Sequence, residues 1–179
     1  MTTPSTSAPR RVLVTGASGH LGEGIARVLR AGGVDVVGVD RRPGPETTIV
    51  GSLADASVVR EAIDGVGSVV HAATLHKPHI ASHGWPEFVD ANVRATALLL
   101  DAARREGASA FVFTSSTSAF GDALTDGSDQ AAAWITERVV PRSKNVYGAT
   151  KLAAEDLCGL AHREHALDLL LGQRNLLDC

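Results

Sequence analysis

The 179 residues predict an α/β domain, a doubly wound parallel sheet of about six strands with helices on both faces. Three observations carry this. Short apolar runs at 12–14, 34–40, 47–50, 68–73, 110–113 and 167–171 each have the length of a buried strand. Stretches with helical apolar spacing or a capping residue separate most of them, and strands alternating with helices close into a parallel sheet through right-handed crossovers. Alanine and valine are plentiful while aromatic residues make up 4% of the chain, as suits a sheet covered on both sides.

The first unit is the most informative. Val12-Leu13-Val14 is followed by glycines at 16, 19 and 22, and then by Leu21, Ile25, Val28 and Leu29, spaced as one face of a helix. A strand that turns through glycines into a helix leaves the first helical N–H groups pointing outward at the positive end of the dipole, which is a site for phosphate. Gly16 permits the tight turn, Gly19 lets the backbone approach a pyrophosphate, and Gly22 lets helix and strand pack closely. One unit downstream, the run 34–40 ends in Asp40, placed to accept hydrogen bonds from both hydroxyls of an adenosine ribose. Its charge would repel a 2′-phosphate, which favours NAD. Arg41 and Arg42 could receive that phosphate, which keeps NADP open, and Asp40 could also simply open the turn Arg41-Arg42-Pro43-Gly44.

Further along, residues 51–53 turn into a helix that Asp55 can cap and that runs to about residue 64, stopped by Gly65 and Gly67. The strand 68–71 continues into Ala72 and Ala73, whose small side chains would let a cofactor ring lie against the backbone. The loop after it holds His76, His79 and His83, close behind His71. Their spacing lacks a helical i,i+4 pair and no carboxylate or cysteine stands among them, so they read as loop residues at a substrate mouth and no metal is expected. Residues 87–106 predict an amphipathic helix with Val89, Val93, Ala97, Leu100 and Ala103 inward; Asn92 within it would satisfy a neighbouring backbone group or do so at a catalytic centre. The strand 110–113 runs into Thr114-Ser115-Ser116. The polar segment 117–145 is long enough to be a functional loop or disordered, and 147–165 reads as a helix with Leu152, Leu157, Leu160 and Ala161 on its apolar side.

The net charge of -3, with Arg and Lys scattered, excludes the electrostatic footprint of a nucleic-acid binder. Cys158 and Cys179 form neither a metal spacing nor a disulfide framework, which places the chain in a reducing cytoplasm. Residues 1–10 read as a disordered leader, 11–179 as one dinucleotide-binding domain, and no run approaches membrane-spanning length.

Tyr147 and Lys151 stand four apart near the start of a helix and therefore share a face. An ammonium held near a phenol stabilises the phenolate, and a tyrosine so placed can exchange a proton with a substrate alcohol while hydride moves to or from nicotinamide. Ser116, at the carboxyl end of the fifth strand, could hydrogen-bond the same oxygen at the edge where the glycine turn opens.

Together these residues resemble the extended short-chain dehydrogenase/reductase superfamily, in its NAD-dependent epimerase/dehydratase branch, which has a Rossmann-type fold. The matching pieces are TGASGHLG at 15–22, VD at 39–40, HAA at 71–73, NVRAT at 92–96, FVFTSSTSAFG at 111–121 and YGATK at 147–151. The resemblance implies that Tyr147 is the acid/base, that Lys151 binds the nicotinamide ribose and favours the phenolate, that Ser116 orients the substrate oxygen, and that Asn92 belongs to a helper network behind Lys151. It also implies cofactor contacts from Gly16, Ser18, Gly19, His20, Leu21 and Gly22 at the pyrophosphate, Asp40 and Arg41 at the adenosine ribose, Ser52 and Leu53 at adenine, and His71, Ala72 and Ala73 along the strand end. A nucleotide sugar is the implied substrate and a homodimer the implied assembly, with no membrane or nucleic-acid partner.

Three positions depart from the pattern. Ser52 stands where many relatives have an aspartate at adenine, and Phe120 replaces a common tyrosine. Beyond the sixth strand, Gln173-Arg174-Asn175 only loosely matches an LRxxN segment, so the C-terminal substrate region reads as largely absent. Two functions are therefore expected as alternatives: an NAD(P)-dependent oxidoreductase or epimerase, and a regulatory or inactive dinucleotide-binding module.

Overall fold

The structure is a computed structural model that describes residues 11–124, 139–165 and 167–172. Strands β1 (Arg11–Thr15), β2 (Val36–Asp40), β3 (Ile49–Val50), β4 (Val66–His71), β5 (Ala110–Thr114) and β6 (Asp168–Gly172) form one sheet in the order β3-β2-β1-β4-β5-β6. Every pairing is parallel. The order runs outward from β1 in one direction and from β4 in the other, so a crevice opens between the carboxyl ends of those two strands, the switch point where such sheets bind ligands.

Neighbouring residues of β1 point to opposite faces. Leu13 enters a large core with Val39, Val69, Phe111 and Phe113, roofed by α2 (Ala56–Ile63), α4 (Ala95–Glu106) and α5 (Val146–His165). Val14 enters a smaller cluster under α1 (His20–Ala31), with Val36 and Ala26. Helices thus cover both faces, as the alternation predicts. Asp55 caps α2 as expected, its side chain accepting from the Ser57 N–H.

The inward faces of the helices keep Ile25, Leu29, Leu100 and Ala103 as expected and differ at other positions, each for an identifiable reason. In α1, Ile25 and Leu29 pack on the sheet, whereas Leu21 and Val28 are 53% and 72% exposed. The helix approaches through its smallest residues, Gly22 and Ala26, and a Cβ at Gly22 would collide with the Gly16 carbonyl. That close approach turns Leu21 and Val28 away. Residues 85–106 form a run that begins as α3 (Trp85–Phe88), widens to a π-helical segment at Val89–Arg94 and continues as α4. The wider turn shifts the phase, so Phe88 and Asn92 are buried while Val89 is exposed. In α5 the fully buried face carries Tyr147, Thr150, Lys151, Glu155 and Cys158; Leu157 and Ala161 pack on the rim of the main core as expected, and with the exposed Leu160 they line a groove beside Ala97 and Leu100 of α4.

Boundaries also move, β2 and β3 each beginning two residues later than expected. β4 begins at Val66, so Gly67 lies within it, and it ends at His71 with Ala72 and Ala73 beyond. Of the segment 117–145, Thr117–Ala119 and Asp122–Leu124 are short 3-10 turns, and Gly121 bridges to Arg142. The leader at 1–10, residues 125–138, Gln173-Arg174-Asn175 and Cys179 lie outside the described residues. No helix among the described residues is long and apolar enough to cross a membrane.

Candidate functional site

Thr15, Asp40, His71 and Thr114 end β1, β2, β4 and β5, so parallel pairing gathers them along one edge of the sheet. The chain leaves β1 through Gly16 at φ +74, a conformation that favours glycine, and a Cβ there would stand 2.9 Å from the Ala73 amide nitrogen. Gly19 is the N-cap of α1, its own N–H bonded to Gly16 O at 2.9 Å, and the Glu23 N–H returns to Gly19 O. The amides of His20, Leu21 and Gly22 therefore stand ahead of the first helical hydrogen bond, as donors at the positive end of the dipole.

Asp40 and Ser18 join this turn to the next loop. The carboxylate accepts the Ser18 N–H at Oδ2, 3.1 Å, and the Arg42 N–H at Oδ1, 2.9 Å. The Ser18 hydroxyl donates to Arg42 O at 2.6 Å, so Thr47 Oγ1, 2.7 Å away, donates to Ser18. Asp40 thus opens its turn and also holds the glycine loop, with lone pairs left for further donors. The donors of Ser18 are used inside the fold. Arg41 is exposed beside it. Ser52 Oγ accepts from the Ala54 N–H at 3.3 Å, and Leu53 is buried in the main core.

At the switch point a chain of hydrogen bonds crosses the sheet. The Ala73 N–H donates to Thr15 Oγ1 at 3.1 Å; Thr15 Oγ1 lies 2.7 Å from His71 Nδ1; His71 Nε2 lies 3.0 Å from Thr96 Oγ1; Thr96 Oγ1 donates to Asn92 O at 2.6 Å. Because Thr96 spends its proton on a carbonyl, it accepts from His71, which places the imidazole proton on Nε2 and makes Nδ1 the acceptor of Thr15. Burial, with a smaller contribution from the Lys151 charge, pushes the His71 pKa down to about 3, so the ring is neutral. The ring also packs on Phe111 and Phe113 at centroid distances of 6.1 and 5.7 Å. The side chain of His71 is therefore part of the interior, and the half-buried Ala72 and Ala73 follow it at the crevice.

Asn92 uses its whole amide. Oδ1 accepts from the Leu75 N–H at 2.8 Å and Thr74 Oγ1 at 3.0 Å, and Nδ2 donates to Leu75 O at 2.9 Å and Thr150 Oγ1 at 3.0 Å. Its side chain bridges the strand-end loop to α5 and satisfies the Leu75 backbone, as expected of a buried asparagine. It reaches α5 at Thr150, next to Lys151 in sequence.

Tyr147 is 8% exposed and packs on Leu75 and Phe88. A Cβ at Gly148 would collide with Ser118 O, so α5 starts directly against the 117–119 turn, whose N-cap is Ser116. Ser116 Oγ accepts from the Ser118 N–H at 3.2 Å. Lys151, 2% exposed, donates to Thr114 O at 2.5 Å and lies 3.9 Å from the centre of the Phe113 ring. Burial pushes its pKa down to about 8 against the opposing charge of Glu155. Glu155, 3% exposed, accepts from Ser115 Oγ. Sequence reading passed over Thr15, Thr96, Ser115 and Glu155; for Glu155 the signal was its place four residues after Lys151 on the same helix.

The loop histidines pack on one another, His76 on His79 at 4.4 Å and His79 on His83 at 5.3 Å. The described residues contain no cluster of histidine, cysteine and carboxylate groups able to hold a metal ion.

The NAD dependent epimerase/dehydratase family model matches residues 12–173. A solved short-chain dehydrogenase/reductase superfamily protein from Agrobacterium tumefaciens, with bound NAD, superposes with a TM-score of 0.79 at 31% identity, over 90% of this chain and 48% of that one. MoeE5 in complex with UDP-glucose and NAD gives a TM-score of 0.74 at 34% identity, over 90% and 52%. Among curated proteins, the 3-beta-hydroxysteroid dehydrogenase of Mycolicibacterium neoaurum is 30% identical over 81% of this chain and 41% of its own length. The NAD-dependent glucose-6-phosphate dehydrogenase of Haloferax volcanii is 30% identical over 89% and 65%. The chain spans about half the length of the solved structures it matches. With the family model covering nearly all of its length, the chain belongs to the NAD-dependent epimerase/dehydratase family.

Proposed function

We propose that the chain binds NAD in the crevice at the carboxyl edge of the sheet and acts as an oxidoreductase or epimerase at a hydroxyl-bearing carbon, with a nucleotide sugar as substrate. The observation that carries this reading is the burial of Lys151, one helical turn after Tyr147, against the end of β5 where Ser116 follows. The donors present fit the cofactor. The amides of His20, Leu21 and Gly22 meet a pyrophosphate and the spare lone pairs of Asp40 meet ribose hydroxyls; exposed Arg41 and Arg42 give NADP a weaker foothold. NAD supplies the hydride acceptor when bound. Tyr147 Oη exchanges the proton of the substrate hydroxyl, Ser116 Oγ hydrogen-bonds the same oxygen, and the Lys151 ammonium opposes the negative charge on the phenol oxygen. The nucleotide-sugar assignment draws on MoeE5, whose complex contains UDP-glucose. As the assembly we propose a homodimer.

Calorimetric titration with NAD, then NADP, then UDP-sugars on the NAD-loaded protein tests the reading. Saturable NAD binding, a second sugar-dependent heat, and loss of turnover in Tyr147→Phe with NAD affinity retained are expected. Absence of NAD binding refutes it, and NAD binding without a sugar response leaves a dinucleotide-binding module.

A further inference from the structure

We infer that Glu155 is a positioning residue for Lys151, a buried counter-charge that keeps the lysine cationic, with Ser115 fixing the carboxylate. A carboxylate removed from water is costly unless something in the fold uses its charge. Glu155 is 3% exposed and stands one helical turn beyond Lys151 on the buried face of α5. Its Oε1 accepts from Ser115 Oγ, and the Ser115 N–H is bonded to Gly172 O of β6 at 3.0 Å, so the anchor belongs to the sheet.

Three consecutive residues thereby divide the work at the end of β5. Thr114 O receives the Lys151 ammonium at 2.5 Å, Ser115 holds Glu155, and Ser116 is the candidate partner of the substrate oxygen. Among the described residues the other groups around the ammonium supply no negative charge at neutral pH. His71 of β4 is neutral, Phe113 of β5 offers a ring face, and burial pushes the Cys158 thiol of α5 up to about 12. Among the described residues Glu155 is thus the anion that opposes the effect of burial on Lys151. This deepens the role given to Lys151 above, because a neutral amine could not favour a phenolate.

The test reads the lysine itself, without cofactor or turnover. In protein carrying 13C-labelled lysine, the Cε signals of Lys77, Lys144 and Lys151 are followed by NMR against pH in the natural chain, Glu155→Gln, Glu155→Asp and Ser115→Ala. The Lys151 midpoint is expected to move to lower pH in Glu155→Gln, reached at about tenfold higher proton concentration, a change of the size two charges a helical turn apart produce in a partly polar interior. Glu155→Asp should restore most of it, Ser115→Ala should move it less in the same direction, and Lys77 and Lys144 should stay in place. A folded Glu155→Gln with an unmoved Lys151 midpoint overturns the inference. Should that variant fail to fold, Ser115→Ala decides, a shifted midpoint supporting the pairing and an unshifted one overturning it. A shifted midpoint in a chain that binds no NAD would leave the pairing standing and remove the proposed function, so the two can fail separately.

Discussion

Lowering the pH should destabilise this fold through His71, by an amount the structure sets. In the unfolded chain a histidine takes up its proton near pH 6.5; in the fold burial holds His71 down to about 3. Between those values the unfolded state binds one more proton than the folded one, so stability falls as the pH falls, by about 1.4 kcal/mol per pH unit from this group. From pH 7 to pH 4 the loss amounts to about 3 kcal/mol, a large share of a typical domain stability. Urea denaturation at half-unit steps over that range measures it, with His71→Asn as the reference. The variant loses hydrogen bonds at every pH, but its curve should lack this slope, so the gap between the two proteins narrows as the medium becomes acid. The remaining histidines are common to both and cancel in the difference. Two-dimensional 15N spectra should show the Nε2–H tautomer of His71 without titration down to pH 4.5. Parallel stability curves would refute the reasoning, since His71 would then titrate alike in both states.

Gly22→Ala should cost more than about 2 kcal/mol because its Cβ collides with the Gly16 carbonyl, whereas Gly24→Ala, where a Cβ meets nothing within 4 Å, should stabilise by up to about 1 kcal/mol; chemical denaturation of both compares them. Asn92→Ala strands the Leu75 N–H in the interior, the Leu75 carbonyl keeping the Thr74 hydroxyl, and should cost about 2 kcal/mol, seen as a lower melting temperature. Asp40→Ala should weaken NAD binding about tenfold or more and NADP binding less, and equal losses in titrations of the two would remove the selectivity assigned to the carboxylate.

Where local chemistry determines structure, the sequence was readable. The glycine turn, the Asp55 cap and the strand runs depend on neighbours a few residues apart, and β1, α1 and α2 stand where they were expected. The inward faces of α1, the 85–106 run and α5 depend on what lies opposite. Glycine contact at Gly22 rotates α1, a π-turn rephases Val89 and Asn92, and polar groups share the inner side of α5, leaving Leu157 at the rim of the core and Leu160 exposed. The same division holds for the site. Tyr147, Lys151 and Ser116 follow from spacing and strand ends, whereas the partners of His71, Thr15 and Thr96, lie 56 and 25 residues away and become visible only when β1, β4 and α4 meet. The helical pattern marks Asn92 as a buried amide, but its use of all four hydrogen-bonding positions is a tertiary fact.

The link through Ser18, Asp40, Arg42 and Thr47 bears on how a ligand would arrive. Two loops that belong to different βα units are tied to each other by side-chain and backbone bonds in the free protein. Neither then has to surrender much freedom when an adenosine group settles between them, so the ordering penalty that usually erodes affinity is small at this end of the crevice. Cutting the tie, by removing the Ser18 hydroxyl for example, would leave the contacting atoms in place and return that penalty as a less favourable binding entropy at nearly constant enthalpy.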